Sequence, residues 1–303
     1  MKTIKPKKLE QGDTIGILAV SGRIKEFERI EHAASYFETC GYNVVISETC
    51  KTSHRYMAGN NDDDCVNALH NFFADRTINA IVCARGGYGA IRLLDKIDWN
   101  IIAKNPKIFA GYSDITALLA AIYKKTGLVT FHSAMANGDF GEKLESYTIQ
   151  SFFNTLQGTN KEFYADNPVF YNTGKANGIL WGGNLATLAS MCGTDFIPQN
   201  DIILFAEDLN EPVYKIDRMF TQLFNIKEIA KNVKGIALGE FQNIDNSEML
   251  DEIIMELALH LNIPVIRGFK ITHEKIKDTI PFGIEAEFDA ENGKITITED
   301  YTM

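Results

Sequence analysis

Ser113 is the residue in this chain best placed to act as a nucleophile. It lies in Phe109-Ala110-Gly111-Tyr112-Ser113-Asp114-Ile115-Thr116, after a short apolar run and before a helical pattern with Ile115, Leu118, Leu119 and Ile122 on one face. A serine at a strand-to-helix junction exposes its hydroxyl beside the free N–H groups of the helix start, which can stabilise an anion. Gly111 is expected to supply the sharp turn. The stretch is not G-x-S-x-G, since Ile115 takes the place of the last glycine.

A serine nucleophile needs a base within reach and a third group to orient that base. Among six histidines, His32, His70 and His260 fall on helical patterns and His54 in a polar loop. His132, after Val129-Thr130-Phe131, and His273, in a loop before Pro281-Phe282-Gly283, are equal candidates on pattern. For the carboxylate, Glu207 ends the apolar run Ile202 to Ala206, where a charge needs a partner. Asp208 and Glu211 are alternatives and are expected to be solvated. Arg85-Gly86-Gly87-Tyr88-Gly89 follows another apolar run. It lacks the Walker lysine and the dinucleotide spacing, but glycines also let backbone approach an acyl oxyanion. Arg85 is a candidate for holding a substrate carboxylate.

The elements that must carry these residues alternate. Strands are expected at Thr14–Val20, Val44–Ile46, Ala80–Ala84, Ile108–Ala110 and Val129–Phe131, with helices between them. That order predicts an α/β fold, a mostly parallel sheet with helices on both faces, and ligands beyond the strands' carboxyl ends. Turn signals gather between residues 140 and 173. The expected division is an N-terminal α/β domain over 1–150, a crossover over 151–175 and a smaller, β-rich α/β domain over 176–303. The second block closes with a hairpin, Ile284, Ala286 and Phe288 alternating before Asn292-Gly293, then Ile295 and Ile297.

Composition narrows the function. The 303 residues carry a formal net charge of -10, which argues against a nucleic-acid partner. No apolar run approaches the roughly 20 residues needed to span a bilayer, and the basic start is not followed by a signal-peptide core. A cytoplasmic protein with no membrane partner is expected. Five scattered cysteines without C-x-x-C spacing are read as buried free thiols. Asp62-Asp63-Asp64 suits a helix start, and no histidine pair stands at i, i+4, so neither metal nor cofactor is expected.

Taken in order, these blocks resemble the serine L,D-carboxypeptidases, peptidase family S66, which include the microcin C self-immunity peptidases. The resemblance rests on Ala84 to Gly89 with Arg92-Leu93-Leu94, Pro106-Lys107 and Gly111 to Leu118. It continues through Gly182-Gly183-Asn184-Leu185, Gly193-Thr194, Glu207-Asp208, Tyr214 to Arg218, and His273 before Pro281-Phe282-Gly283. It implies a Ser113, Glu207, His273 triad, breaking the tie against His132. It also implies backbone oxyanion donors at Gly87 (or Gly86) and Asp114, and a homodimer. Gly86, Tyr88, Arg85 and Trp181 are the expected substrate-binding residues. The implied activity is removal of a terminal D-alanine from a peptidoglycan-derived tetrapeptide. A microcin C-type hydrolase of an aminoacyl-nucleotide mimic is the second reading, with Trp181 stacking on a base, and a non-catalytic muropeptide-binding module the third. The chain departs from the family pattern at Ser133-Ala134, where Gly-Pro is usual, and at Thr272, where glycine is usual. Both positions bear on pocket shape and substrate choice.

Overall fold

The computed structural model describes residues 2–303. Its first part runs β1 (Thr14–Leu18), α1 (Phe27–Thr39), β2 (Asn43–Ile46), the short pair β3 (Ser53–His54) and β4 (Met57–Ala58), then α2 (Asp62–Ala74). It continues with β5 (Ala80–Cys83), α3 (Trp99–Lys104), β6 (Ile108–Gly111), α4 (Thr116–Thr126) and β7 (Thr130–His132). The second part holds α5 (Ser146–Leu156), β8 (Glu162–Tyr164), β9 (Val169–Asn172), β10 (Lys175–Asn184), α6 (Leu185–Ser190), β11 (Ile202–Leu209), α7 (Val213–Phe224) and α8 (Lys227–Asn232). It ends with β12 (Val233–Gln242), α9 (Ser247–Leu261), β13 (Val265–Arg267), β14 (Ile280–Phe282), β15 (Glu285–Asp289) and β16 (Lys294–Ile297).

The fold is α/β, as the alternation predicts. The first sheet has the order β14-β7-β6-β5-β1-β2; its members β1, β2, β5, β6 and β7 are parallel. Strands buried on both faces read as continuous apolar runs, and β5, Ala-Ile-Val-Cys, is fully buried. The second sheet has the order β8-β16-β15-β10-β11-β12-β13-β9, with a parallel centre, β10 to β13, and antiparallel margins. The expected hairpin is β15 and β16. Residues 151–175 hold the end of α5 and also β8 and β9, which pair with β16 and β13 in the second sheet.

Two features bring the sheets together. Strand β14 leaves the second half of the chain and pairs antiparallel with β7 of the first sheet. Helix α4, which follows Ser113, is buried from Thr116 through Tyr123 without a polar face, as a helix covered on all sides must be. Strand β10 rests on its first residue: the Asn184 N–H donates to Thr116 Oγ1 at 3.1 Å, and a Cβ on Gly183 would stand 2.6 Å from that oxygen.

The acidic start of α2 is used locally. Asn61 caps the helix, Asp62 pairs with Arg92 at 2.6 Å and Asp63 with Lys96 at 2.8 Å. Cys50, Cys65 and Cys83 are buried free thiols, whereas Cys40 and Cys192 are only half-buried, a correction to the expectation for all five.

Candidate active site

The turn at Ser113 is built differently from the sequence expectation. Gly111 is not the turning residue: it ends β6, and a Cβ there would meet Ile115 Cγ2 at 2.9 Å and Cys83 Cβ at 3.0 Å. Glycine is required there for packing. The left-handed conformation falls on Ser113 itself, with φ +61°, the first residue of a three-residue 3-10 turn, Ser113–Ile115, that leads into α4. A non-glycine residue in that region is strained and persists only where its surroundings hold it. The Asp114 carboxylate does much of the holding. Its Oδ2 accepts from Ser21 Oγ at 2.5 Å and from the Ala90 N–H at 2.9 Å, tying the turn to the segment after β1 and to the exit of the glycine loop. Burial raises the Asp114 pKa while these donors oppose the shift.

The glycine loop lies against the serine. A Cβ on Gly86 would stand 2.7 Å from Ser113 Cβ and 2.8 Å from its Oγ. The Gly86 carbonyl accepts from the Gly22 N–H at 3.0 Å, and Gly87 has φ +115°. Arg85 donates from Nη1 to the Arg23 carbonyl at 3.0 Å. Tyr88 is exposed and faces Tyr56, with ring centroids 5.7 Å apart, outside the cavity that holds the serine. Trp181 is also outside it. The indole is fully buried against Phe196 and Phe282, so it is a core residue and not a surface for stacking.

Glu207 sits in β11 and is fully buried, and its Oε2 lies 2.6 Å from His273 Nδ1. Successive strand residues face opposite ways, so Asp208 points elsewhere. It accepts from Asn184 Nδ2 at 3.0 Å and from the Ala186 N–H at the start of α6 at 2.8 Å. Asp208 is therefore buried structure and not a solvated acid; burial, with the neighbouring Glu207 charge, raises its pKa to about 6. Glu211 lies beyond β11 and pairs with Lys215 at 3.3 Å. His132 belongs to β7, only 2% exposed, between the rings of Tyr112 and Phe205. Burial, then the His273 and Lys277 charges, lowers its pKa to about 3, and the carboxylate contact goes to His273.

Ser113, His273, Arg85, Gly86 and Gly87 line one cavity of about 310 Å³. Ser113 and His273 share it without a direct hydrogen bond among the described residues; such contacts commonly tighten only when substrate binds. Behind them lies a cluster that motif reading missed. Lys277 Nζ, 3% exposed, pairs with Asp139 Oδ1 at 2.7 Å and donates to Tyr112 Oη at 3.0 Å. The Tyr112 ring meets His273 edge-on at 4.8 Å. Nothing in Lys275-Ile276-Lys277 marks one lysine as buried, so no local signal could have found it.

A strained serine turn and a glycine loop thus share one cavity with a carboxylate-bound imidazole, the set of groups that nucleophilic hydrolysis uses. Residues 15–133 match the LD-carboxypeptidase N-terminal domain of peptidase family S66, and residues 177–288 match its C-terminal domain. The chain belongs to this LD-carboxypeptidase family. A probable murein peptide carboxypeptidase of Bacillus subtilis is 36% identical over 93% of this chain and 90% of its own length. The apo structure of the microcin C7 self-immunity protein MccF, a protein known from Escherichia coli, superposes with a TM-score of 0.90. That match has 28% identity and covers 99% of this chain and 100% of the other. The muramoyltetrapeptide carboxypeptidase of Oxalobacter formigenes superposes with a TM-score of 0.84 at 30% identity, over 96% and 100% of the two chains. Among the described residues no helix is long and apolar enough to cross a membrane.

Proposed function

We propose that this protein is a serine carboxypeptidase that hydrolyses the L,D bond to a terminal D-alanine in peptidoglycan-derived tetrapeptides. The observation that carries the reading is the 2.6 Å contact from fully buried Glu207 to His273, in the cavity that also holds Ser113. The carboxypeptidase names of the Bacillus and Oxalobacter relatives support the substrate class.

In this mechanism His273 Nε2 takes the Ser113 proton as Oγ attacks the carbonyl carbon. Glu207 accepts from Nδ1–H and stabilises the imidazolium. Backbone N–H groups of Gly87 (or Gly86) and Asp114 receive the oxyanion, and Arg85 holds the terminal carboxylate. The tetrahedral adduct collapses, His273 returns the proton to the leaving amine, and D-alanine departs. Water, deprotonated by His273, then releases the acyl group from Ser113. Residues 1–150 supply the nucleophile and residues 176–303 the carboxylate and base, with 151–175 as the crossover. A cytoplasmic homodimer acting on small muropeptides, with no nucleic-acid or membrane partner, completes the reading.

Mass spectrometry of the tetrapeptide incubated with the protein tests it. Wild type is expected to release one D-alanine, and Ser113→Ala and His273→Ala none. Wild-type turnover by both variants would refute the triad, and loss of turnover in His132→Ala alone would move the base. The likeness to MccF across both full chains favours one second reading, a hydrolase of a microcin C-type aminoacyl-nucleotide mimic. Cleavage of processed microcin without cleavage of the tetrapeptide would establish it. Burial of Trp181 removes the base-stacking surface that motivated it.

A further inference from the structure

Ser113 is held in its left-handed turn from both flanks. On the Asp114 side the ties run to Ser21 and Ala90, within the first half of the chain. On the Tyr112 side the tie comes from the second half. Lys277 Nζ donates to Tyr112 Oη at 3.0 Å, lies 4.1 Å from the centre of that ring and pairs with Asp139 at 2.7 Å. The backbone that carries this lysine is anchored. Its N–H donates to Thr148 Oγ1 of α5 at 3.0 Å, and that hydroxyl donates to the Lys275 carbonyl at 2.6 Å. The next residue, Asp278, accepts from Tyr147 at 2.8 Å and from Ser151 at 3.1 Å, both also on α5. Asp139 is fixed in turn: its Oδ2 accepts from the Met135 N–H at 2.8 Å, bracing the π turn over Ala136–Phe140. Met135, Asn137 and Gly138 of that segment line the cavity that holds Ser113 and His273.

We propose that Lys277, held by Asp139, is a positioning residue for the reaction: through Tyr112 it sets the distance between the Ser113 hydroxyl and the His273 imidazole. The inference rests on the assignment of Ser113 and His273 as nucleophile and base. Stability alone does not require the pair, since well-packed apolar side chains in place of a buried ion pair are often as stable or more so. Its location gives it a use. Lys277 lies four residues after the base, on the loop anchored to α5, and it grips the residue immediately before the nucleophile. The Tyr112 ring in turn meets the imidazole at 4.8 Å, while Glu207 fixes Nδ1 of that imidazole. One ammonium thus ties the nucleophile turn, the base and a cavity wall, which come from three separate stretches of chain. A strained serine held only on its Asp114 side would relax, and the reacting atoms would drift apart. Lys277 is 3% exposed and does not line the cavity, so its loss acts on the chemical step and not on substrate binding.

Lys277→Met combined with Asp139→Leu removes both charges while keeping apolar volume, and so separates positioning from stability. The thermal midpoint of this double variant is expected to stay near that of wild type. Its kcat on a tetrapeptide ending in D-alanine is expected to fall by an amount on the order of 10²-fold, with KM unchanged. A serine-directed fluorophosphonate reads the same geometry without a substrate, and its rate of labelling of Ser113 should fall by the same factor. Tyr112→Phe, which deletes one hydroxyl, covers the case of a double variant that does not fold. It should slow labelling, and Lys277→Met should slow it little further in the Tyr112→Phe background. A wild-type labelling rate in the folded double variant, or in Tyr112→Phe, overturns the inference. Labelling of wild type without release of D-alanine refutes the carboxypeptidase reading; slower labelling of the variants then still supports the role of Lys277. No labelling of wild type overturns both.

Discussion

Gly86 leaves the Ser113 hydroxyl almost no spare room. A methyl group there would lie inside normal contact distance of both Ser113 Cβ and Oγ, so the serine would have to move. Displacement of a reacting atom by about 1 Å costs on the order of 10²-fold in rate, and Gly86→Ala is expected to lower kcat by that order. Steady-state turnover, with the thermal midpoint as control, checks it. His132 yields a second prediction at this scale. Unfolded, it titrates near 6.5; folded, near 3. Between those values the unfolded chain holds the extra proton, so acidification favours unfolding. Compared with His132→Gln, wild type should lose stability as pH falls from 6.5 towards 3, by up to about 1.4 kcal/mol per pH unit. Urea titrations across that range read the difference. Both histidines were legible as candidates because each lies near an apolar strand. Local pattern did not separate them, because the contact joins His273 to a carboxylate 66 positions away in the chain; the ordered family blocks did.

Elements converge on the site through groups that look ordinary in sequence. Lys277 and Asp139 form a buried pair behind Tyr112, joining the residue before the nucleophile to the loop that carries His273. Removing one partner of a buried ion pair leaves an uncompensated charge and typically costs about 3–5 kcal/mol. Lys277→Met is therefore expected to lose stability on that scale in urea unfolding, and Lys277→Met with Asp139→Leu to recover much of it. Strand β11 shows what period-two geometry adds to an acidic dipeptide. Glu207 and Asp208 are adjacent in sequence, yet one meets the base and the other meets Asn184 and α6. The apolar run before them marked Glu207 as a strand-end charge. The buried role of Asp208 depended on a partner from β10.

At the scale of the molecule, β14 crosses to the first sheet and α4 lies under β10, so one apolar core continues through both halves. Two halves joined in this way should unfold together. The chain offers a test, since Trp99 sits in α3 and Trp181 in β10. Trp99→Phe and Trp181→Phe each leave one reporter, and their fluorescence midpoints in urea are expected to track the global circular-dichroism transition of the same variant. A reporter that departs from that transition would show that the halves unfold separately. The sequence by itself determined the α/β class, the central strands and helices and the serine turn, because these rest on periodicity and on residue types within a dozen positions. The family resemblance carried by the sequence chose His273 over His132; only the tertiary structure decided that Trp181 is core and Asp208 buried, and that Ser113 itself takes the strained turn. Each of these depends on distant segments packed within a few ångströms, which local pattern does not encode.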